Sequence, residues 1–222
     1  LFDETFGARR KEALEICARL AARGLSFRWN ARTRIDLLDG VLLRAMRDAG
    51  CYFLHLGIES GTQRILDAMH KKTDLAQIER VVRDAKSMGY QLHGYFMLGY
   101  PGETEEEMRR TMAFSRRLPL DWASYTITIP NPRTPLQELA EQEGLIDRDF
   151  WQRYVAGETD GTIPYVAARD LGAAKLEALK REAYLRFYLR PGSLWRQTGH
   201  LRRTGGWGRL VDAGKLWLRE LV

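Results

Sequence analysis

The chain has 222 residues, 45% of them hydrophobic, which is enough to bury a sizeable core and suggests one domain plus an appendage. No apolar run approaches membrane-spanning length and no signal peptide is visible, while two distant cysteines, Cys17 and Cys51, match neither a disulfide scaffold nor a self-contained zinc or iron-sulfur spacing. The net charge of +6 is uneven: from Lys180 onward ten Lys and Arg face three acids, a net +7, which leaves residues 1–179 at −1 and argues against a nucleic-acid groove across the main domain.

Leu1 to Phe6 read like the end of a strand running into a loop, so we expect a preceding part of the gene. Ala13, Ile16, Cys17 and Leu20 then repeat at helical spacing, and Gly24 stops that helix. A short strand is predicted over Ser26–Arg32, with Phe27 and Trp29 opposite Arg28, Asn30 and Arg32. Asp39 can cap a helix carrying Leu42, Leu43, Met46 and Ala49. The next strand, Cys51–Glu59, sets Cys51, Phe53, His55, Gly57 and Glu59 on one face and Tyr52, Leu54, Leu56 and Ile58 on the other. A short helix around Ile65, Leu66 and Met69 follows and breaks at His70-Lys71-Lys72. Thr73 or Asp74 then restarts a stripe of Leu75, Ile78, Val82 and Ala85, which Gly89 ends.

Gln91–Gly99 is the third strand, with Leu92, Phe96 and Leu98 against His93, Tyr95 and Met97. Its exit leads to Thr104 and Glu107, a capping box for a helix in which Met108 and Met112 read as core packing. Trp122–Ile129 is the fourth strand and places Ser124, Thr126 and Thr128 together; Thr134, Pro135 and Gln137 then start a helix. Phe150–Val166 reads as irregular, Asp170–Leu189 as a helix with Leu176, Leu179, Ala183 and Phe187 on one face. An Arg- and Gly-rich tail closes on an amphipathic stripe of Leu210, Ala213, Trp217 and Leu221.

Strand then helix, repeated four times with short connections, implies parallel strands in an α/β fold. The face that would form a barrel interior collects Arg28, Asn30, Arg32, His55, Glu59, His93, Tyr95, Thr126 and Thr128. That is too polar for a closed barrel, whose interior is filled by branched apolar side chains, and suits an open barrel around a polar ligand. Glu59 lies at the carboxyl end of its strand, where α/β proteins bind ligands.

Gly57-Ile58-Glu59-Ser60-Gly61, followed by Tyr95-Phe96-Met97-Leu98-Gly99-Tyr100-Pro101-Gly102-Glu103-Thr104, resembles the radical S-adenosylmethionine (SAM) enzymes, and most of all their subgroup with an N-terminal cobalamin-binding domain. Phe2-Asp3-Glu4-Thr5-Phe6, Arg32-Thr33-Arg34-Ile35-Asp36 and Ala49-Gly50-Cys51 add to the resemblance, which runs from residue 2 to about Leu145. It implies a partial (βα)6 TIM-like barrel lacking its N-terminal strands: residues 1–145 as the C-terminal portion of a radical SAM core, 146–222 as a helical, basic extension. It also implies a 4Fe-4S cluster on a CxxxCxxC loop that this sequence does not contain, an electron donor that reduces the cluster, and cobalamin on an upstream domain.

By position, the resemblance implies that Asp3, Glu4 and Thr5 meet the SAM amino group, Glu59 the ribose hydroxyls and Lys71 the SAM carboxylate, with Ser60 also among the cofactor-binding residues. Tyr95, Met97 and Gly99 would flank ribose and adenine, with Thr128 and Pro130 closing over the adenine. Arg133 stands where the family's proline-rich turn carries a glycine. The implied chemistry is reductive cleavage of SAM to a 5′-deoxyadenosyl radical, for hydrogen abstraction or cobalamin-dependent methyl transfer in a cytoplasmic, low-oxygen setting. No catalytic residue beyond the cofactor contacts is assigned.

Simpler readings stand beside these. Glu59 could be a surface carboxylate, His55 and His93 either satisfied core histidines or the lining of a substrate cavity, and Lys71-Lys72 a solvated helix end. The basic C-terminal stripe is a docking helix or an interfacial helix on anionic lipid. A cluster-free barrel enzyme and a noncatalytic module using the basic tail are the rival functions. The substrate is expected to be a small or lipid-like molecule and no nucleic-acid partner is expected, but nothing in the sequence chooses among lipids, tetrapyrroles, peptides and antibiotics.

Overall fold

The computed structural model describes residues 5–24, 27–165 and 171–190. Four parallel strands, β1 (Trp29–Arg34), β2 (Cys51–Glu59), β3 (Gln91–Leu98) and β4 (Trp122–Ile127), lie in the order of the sequence. The helices are α1 (Arg10–Ala22), α2 (Gly40–Asp48), α3 (Gln63–Ala68), α4 (Leu75–Ser87), α5 (Glu105–Arg117), α6 (Pro135–Gln142), α7 (Phe150–Ala156) and α8 (Ala173–Tyr188). The architecture is α/β, a parallel sheet with one helix-covered face and one open face. No described helix is long and apolar enough to cross a membrane.

Local chemistry explains the elements. The Asp39 carboxylate accepts from the Val41 and Leu42 amides and starts α2, Asp74 accepts from Gln77 and starts α4, and Thr104 and Glu107 form the reciprocal box that starts α5. Leu54, Leu56, Ile58, Leu92, Phe96 and Leu98 enter the core from the helix side, each 1% exposed or less. Met108 and Met112 are core residues, as expected. Phe6 donates its amide to the Arg32 carbonyl, and Thr33 Oγ1 donates to the Phe6 carbonyl, so the opening turn is tied to the outer edge of β1.

Several sequence expectations are corrected. β1 runs over Trp29–Arg34 and leaves out Phe27 and Arg28, which were expected in it, while Ser26 lies outside the described residues; the strand alternates Trp29, Ala31 and Thr33 inward, Phe27 is exposed, and so is Ile16 on α1. Cys51 faces the helices rather than sharing the face of Phe53: the register pairs Trp29 with Cys51 but Asn30 with Phe53, and this bulge at Tyr52 resets the alternation. Thr128 does not join Ser124 and Thr126 on the open face, because β4 ends at Ile127 and Thr128 turns into the interior, fully buried. Within Phe150–Val166, read as irregular, Phe150–Ala156 is a helix ended by Gly157 in the left-handed conformation. Phe150 packs with Ala140, Ile146, Trp151 and Tyr154, and Trp151 donates to the Pro130 carbonyl; this tertiary packing sustains a helix of only seven residues.

Leu176, Leu179, Ala183 and Phe187 of α8 enter the same core as the sheet. The hydroxyls of Tyr184 and Tyr188, one turn apart, reach the free edge of β4. Tyr188 bonds the Ala123 amide (3.3 Å) and carbonyl (3.0 Å), and Tyr184 bonds those of Tyr125 (3.1 and 3.4 Å). Two phenols thus occupy the donor and acceptor pairs that a further strand would use.

Candidate functional site

Glu59 ends β2 with φ at 70°, and the pairing with β3 slips there, from Gly57 opposite Tyr95 to Glu59 opposite Phe96. The kink folds the carboxylate back across its own strand, where Oε1 lies 2.9 Å from the position a Cβ on Gly57 would take. A side chain at Gly57 would push the carboxylate out of this position, so the glycine leaves room for it. The second glycine has a different cause: a Cβ on Gly61 would lie 2.6 Å from the Phe114 Cβ and 2.7 Å from the Thr111 Cα, so only glycine lets the loop touch α5.

Lys71 approaches from the turn after α3, where His70 is also left-handed (φ 53°), and its Nζ donates to Glu59 Oε1 at 2.8 Å. Beside this pair, Arg34 at the end of β1 grips Asp36 through two bonds of 2.9 Å. Burial pushes the Asp36 carboxyl upward, but the Arg34 hydrogen bond and charge, with Lys71 nearby, leave it below its usual range. Two bases and two acids therefore alternate at the carboxyl ends of β1 and β2, a setting suited to a ligand with separated ammonium, carboxylate and hydroxyl groups. Arg34 and Asp36 were legible only as part of a longer motif; their spacing across a strand end gave no sign that Asp36 folds back onto Arg34.

The exit of β3 is built around Glu103, fully buried, whose Oε2 accepts from the Gly99 amide (2.7 Å) and the Tyr100 amide (3.1 Å). Burial raises its pKa to about 7 against the lowering effect of the two amides, and Oε1 has no partner among the described residues. The sequence signal for this clasp is an acid between Gly102 and the cap Thr104. Gly99 itself is left-handed at φ 72°.

The other sequence candidates are dispersed. Thr5 sits in the turn before α1, while Asp3 and Glu4 lie outside the described residues. Ser60 is fully buried, its hydroxyl bonded to those of Thr62 and Thr111, on the α5 side of the loop. Thr128 donates its amide (2.9 Å) and hydroxyl (3.3 Å) to the Leu98 carbonyl. Pro130 is buried, and Tyr95 and Met97 lie half-buried on the open face. Arg133, at the glycine position of the expected turn, has φ 59°, a glycine conformation held by its amide bond to Gln137 Oε1.

Below the strand ends the open face carries rings. His55 Nδ1 and the Tyr95 hydroxyl are hydrogen-bonded at 3.1 Å, His93 Nε2 and Ser124 Oγ at 2.9 Å, and the His93 and Tyr95 rings stack at 4.4 Å. Burial, reinforced by His55, lowers the His93 pKa to about 4; burial and then Arg32 lower that of His55. A cleft of about 430 Å3 lies between Gly7, Asp36–Gly40 and α4; it shares Asp36 with the charge cluster, but neither Glu59 nor Lys71 lines it.

The Radical SAM superfamily model matches residues 5–115, half of the chain, and its span holds Glu59, Lys71, Gly99 and Glu103. This chain belongs to the radical SAM superfamily. An uncharacterized methyltransferase of Pyrococcus horikoshii is 33% identical over 189 residues, covering 85% of this chain and 40% of that protein. The anaerobic magnesium-protoporphyrin IX monomethyl ester cyclase of Cereibacter sphaeroides is 29% identical over 211 residues, covering 91% of this chain and 33% of the cyclase. The chain thus spans 40% or less of the length of these two relatives.

Among solved structures, the radical SAM methyltransferase TsrM from Kitasatospora setae, with cobalamin and a [4Fe-4S] cluster bound, superposes with a TM-score of 0.58 at 20% identity, covering 63% of this chain and 29% of TsrM. Coproporphyrinogen III oxidase (HemN) from Escherichia coli gives 0.55 at 15% identity, covering 80% of this chain and 36% of HemN. Both support the TIM-like barrel architecture expected for the open sheet.

The family's cofactors are SAM and a 4Fe-4S cluster. The charge cluster at the strand ends suits the polar groups of SAM. The cluster is another matter, because both cysteines are buried in the apolar core and burial raises Cys17 to about 11 and Cys51 to about 12. Thiols that resist ionisation are poor iron ligands, so the residues of this chain do not fit the cluster.

Proposed function

We propose that this chain binds SAM at the carboxyl ends of β1–β4 and serves a radical SAM enzyme as its SAM- and substrate-binding portion. The carrying observation is the Glu59–Lys71 pair, held at the strand ends by two left-handed residues. Lys71 would take the SAM carboxylate, Glu59 the ribose diol, and Thr5, with Asp3 and Glu4 before it, the amino group. Gly99 offers a backbone without a side chain beside the adenine, Tyr95 and Met97 flank it, and Thr128 and Pro130 support the closing turn from inside. The Ser60 hydroxyl is engaged with α5, so its part is to hold the loop. When bound and reductively cleaved, SAM supplies a 5′-deoxyadenosyl radical.

Of the two outcomes, methyl transfer is favoured by the resemblance to the P. horikoshii methyltransferase. Cobalamin and the cluster would then be supplied by parts of the protein other than residues 1–222, with an external electron donor. We assign residues 1–145 to the core and 146–222 to the extension, with α8 packed onto the core. The amphipathic stripe at Leu210–Leu221 lies outside the described residues, so membrane contact stays a proposal from sequence, as does a cytoplasmic location.

The test is anaerobic incubation of the full-length protein with SAM and a reductant, following 5′-deoxyadenosine by mass spectrometry and SAM affinity by calorimetry. Glu59→Ala should lose SAM affinity by tenfold or more with an unchanged circular dichroism spectrum. Unaltered affinity in that variant sinks the assignment.

A further inference from the structure

The rings on the open face bear on the substrate. Phe53 and Trp122 meet at 5.1 Å across β3, Phe53 touches His55 at 4.6 Å, and His55 reaches His93 at 5.6 Å. With Tyr95 stacked on His93, the rings form a continuous wall. The wall ends beside the strand-end cluster: Tyr95 pairs with Gly57, two residues short of Glu59, or about 7 Å along the strand.

Two features of the wall select chemistry. Each imidazole spends one nitrogen on a neutral hydroxyl, and its second nitrogen has no hydrogen-bond partner among the described residues. A hydrocarbon chain laid over the wall would strand both polar atoms, whereas a ring system with heteroatoms can meet them. The second feature is charge. Arg32, an exposed side chain at the rim of the open face, leans over Tyr95, its Cζ 6.0 Å from the ring centre. Among the described residues it forms no ion pair, since Asp36 and Glu59 are engaged by Arg34 and Lys71. A planar guanidinium facing neutral groups is matched by a carboxylate in two-pronged contact.

We infer that the substrate is a conjugated ring molecule bearing a carboxylate, its ring against Phe53, Trp122 and His93, the part of the wall beyond Tyr95, and its acid on Arg32. This inference rests on the reading of the open face as the reaction chamber.

The test titrates the full-length protein with mesoporphyrin IX and with indole-3-acetate, each compared with its methyl ester, following tryptophan fluorescence. At least one acid should bind tenfold or more tighter than its ester, and Arg32→Gln should bring that ratio close to unity. Phe53→Leu, a milder change that keeps an apolar side chain, should weaken acid and ester alike. The inference is overturned if neither acid binds, if Arg32→Gln leaves the acid-to-ester ratio unchanged, or if palmitate competes as well as the ring acids. SAM affinity of the wild type, measured on the same preparation, tests the earlier assignment separately: its absence with an intact acid preference would sink the SAM site and leave the ring-acid site standing.

Discussion

Glu59 takes a backbone conformation that a residue with a Cβ enters at a cost of roughly 1–2 kcal/mol. The strain buys a carboxylate aimed across the strand end onto Lys71, which an extended residue there could not supply. Glu59→Gly relieves the strain but adds backbone freedom in the unfolded chain and removes an ion pair, effects of about 1 kcal/mol each way. Its urea midpoint should therefore stay close to the wild type while SAM affinity falls at least tenfold. A large loss of stability would mean that the pair is chiefly structural.

Two buried titratable groups give a pH signature of opposite signs. Glu103, raised from 4.5 to about 7, stabilises the fold at low pH and loses that contribution as pH rises from about 4.5 through 7. His93, lowered from 6.5 to about 4, stabilises it above 6.5 and loses that contribution as pH falls toward 4. Between about pH 4.5 and 6.5 the two oppose each other, and the wild type should vary little on their account. Glu103→Gln unmasks His93, so its stability should climb with pH across that window; His93→Phe should leave a fall. Urea midpoints at about pH 5, 6 and 7 read both slopes.

At the scale of elements, the contact between α8 and β4 decides how the sheet ends. A parallel sheet offers unpaired amides and carbonyls at its last strand, and Tyr184 and Tyr188 satisfy those of Ala123 and Tyr125 from the side. Tyr184→Phe and Tyr188→Phe keep the ring packing and remove the hydroxyls, at about 1 kcal/mol each. The double variant should also associate with itself as concentration rises, because its edge is again available for pairing. Gel filtration at several concentrations checks this; a monomer throughout would show that the ring packing alone protects the edge. The corner where the Gly61 loop meets α5 is tighter still: Gly61→Ala drives a Cβ into the backbone of Thr111 and should cost about 1–3 kcal/mol, read from thermal unfolding.

At the scale of the molecule, α8 is part of the core that the strands share. Leu176, Leu179, Ala183 and Phe187 are each 1% exposed or less, and the Arg190 guanidinium gathers the carbonyls of Arg116, Leu118 and Leu120 at the end of α5. Removing residues from 166 onward should therefore abolish cooperative unfolding, although the whole span matched by the family model lies before that point. A sharp thermal transition in the shortened chain would show that α8 is an addition.

The order of elements, their parallel pairing and the capping residues were written in the sequence, because they depend on side chains a few positions apart: Asp39, Thr104 with Glu107, and the alternation of β3. So was Glu59 as the pivot, since its two glycines are local. What the tertiary structure decided depends on distant contacts. The bulge that turns Cys51 inward comes from pairing with β1, the burial of Thr128 from the early end of β4, and α7 from aromatic packing on Ala140 and Ile146. Arg34 gripping Asp36, Ser60 locked onto α5, Glu103 clasping two amides and the rings meeting across three strands belong to the same class. The physical reason is common to all of them: periodicity says which face a residue occupies, but only register and packing fix which side chains on that face come within hydrogen-bonding distance.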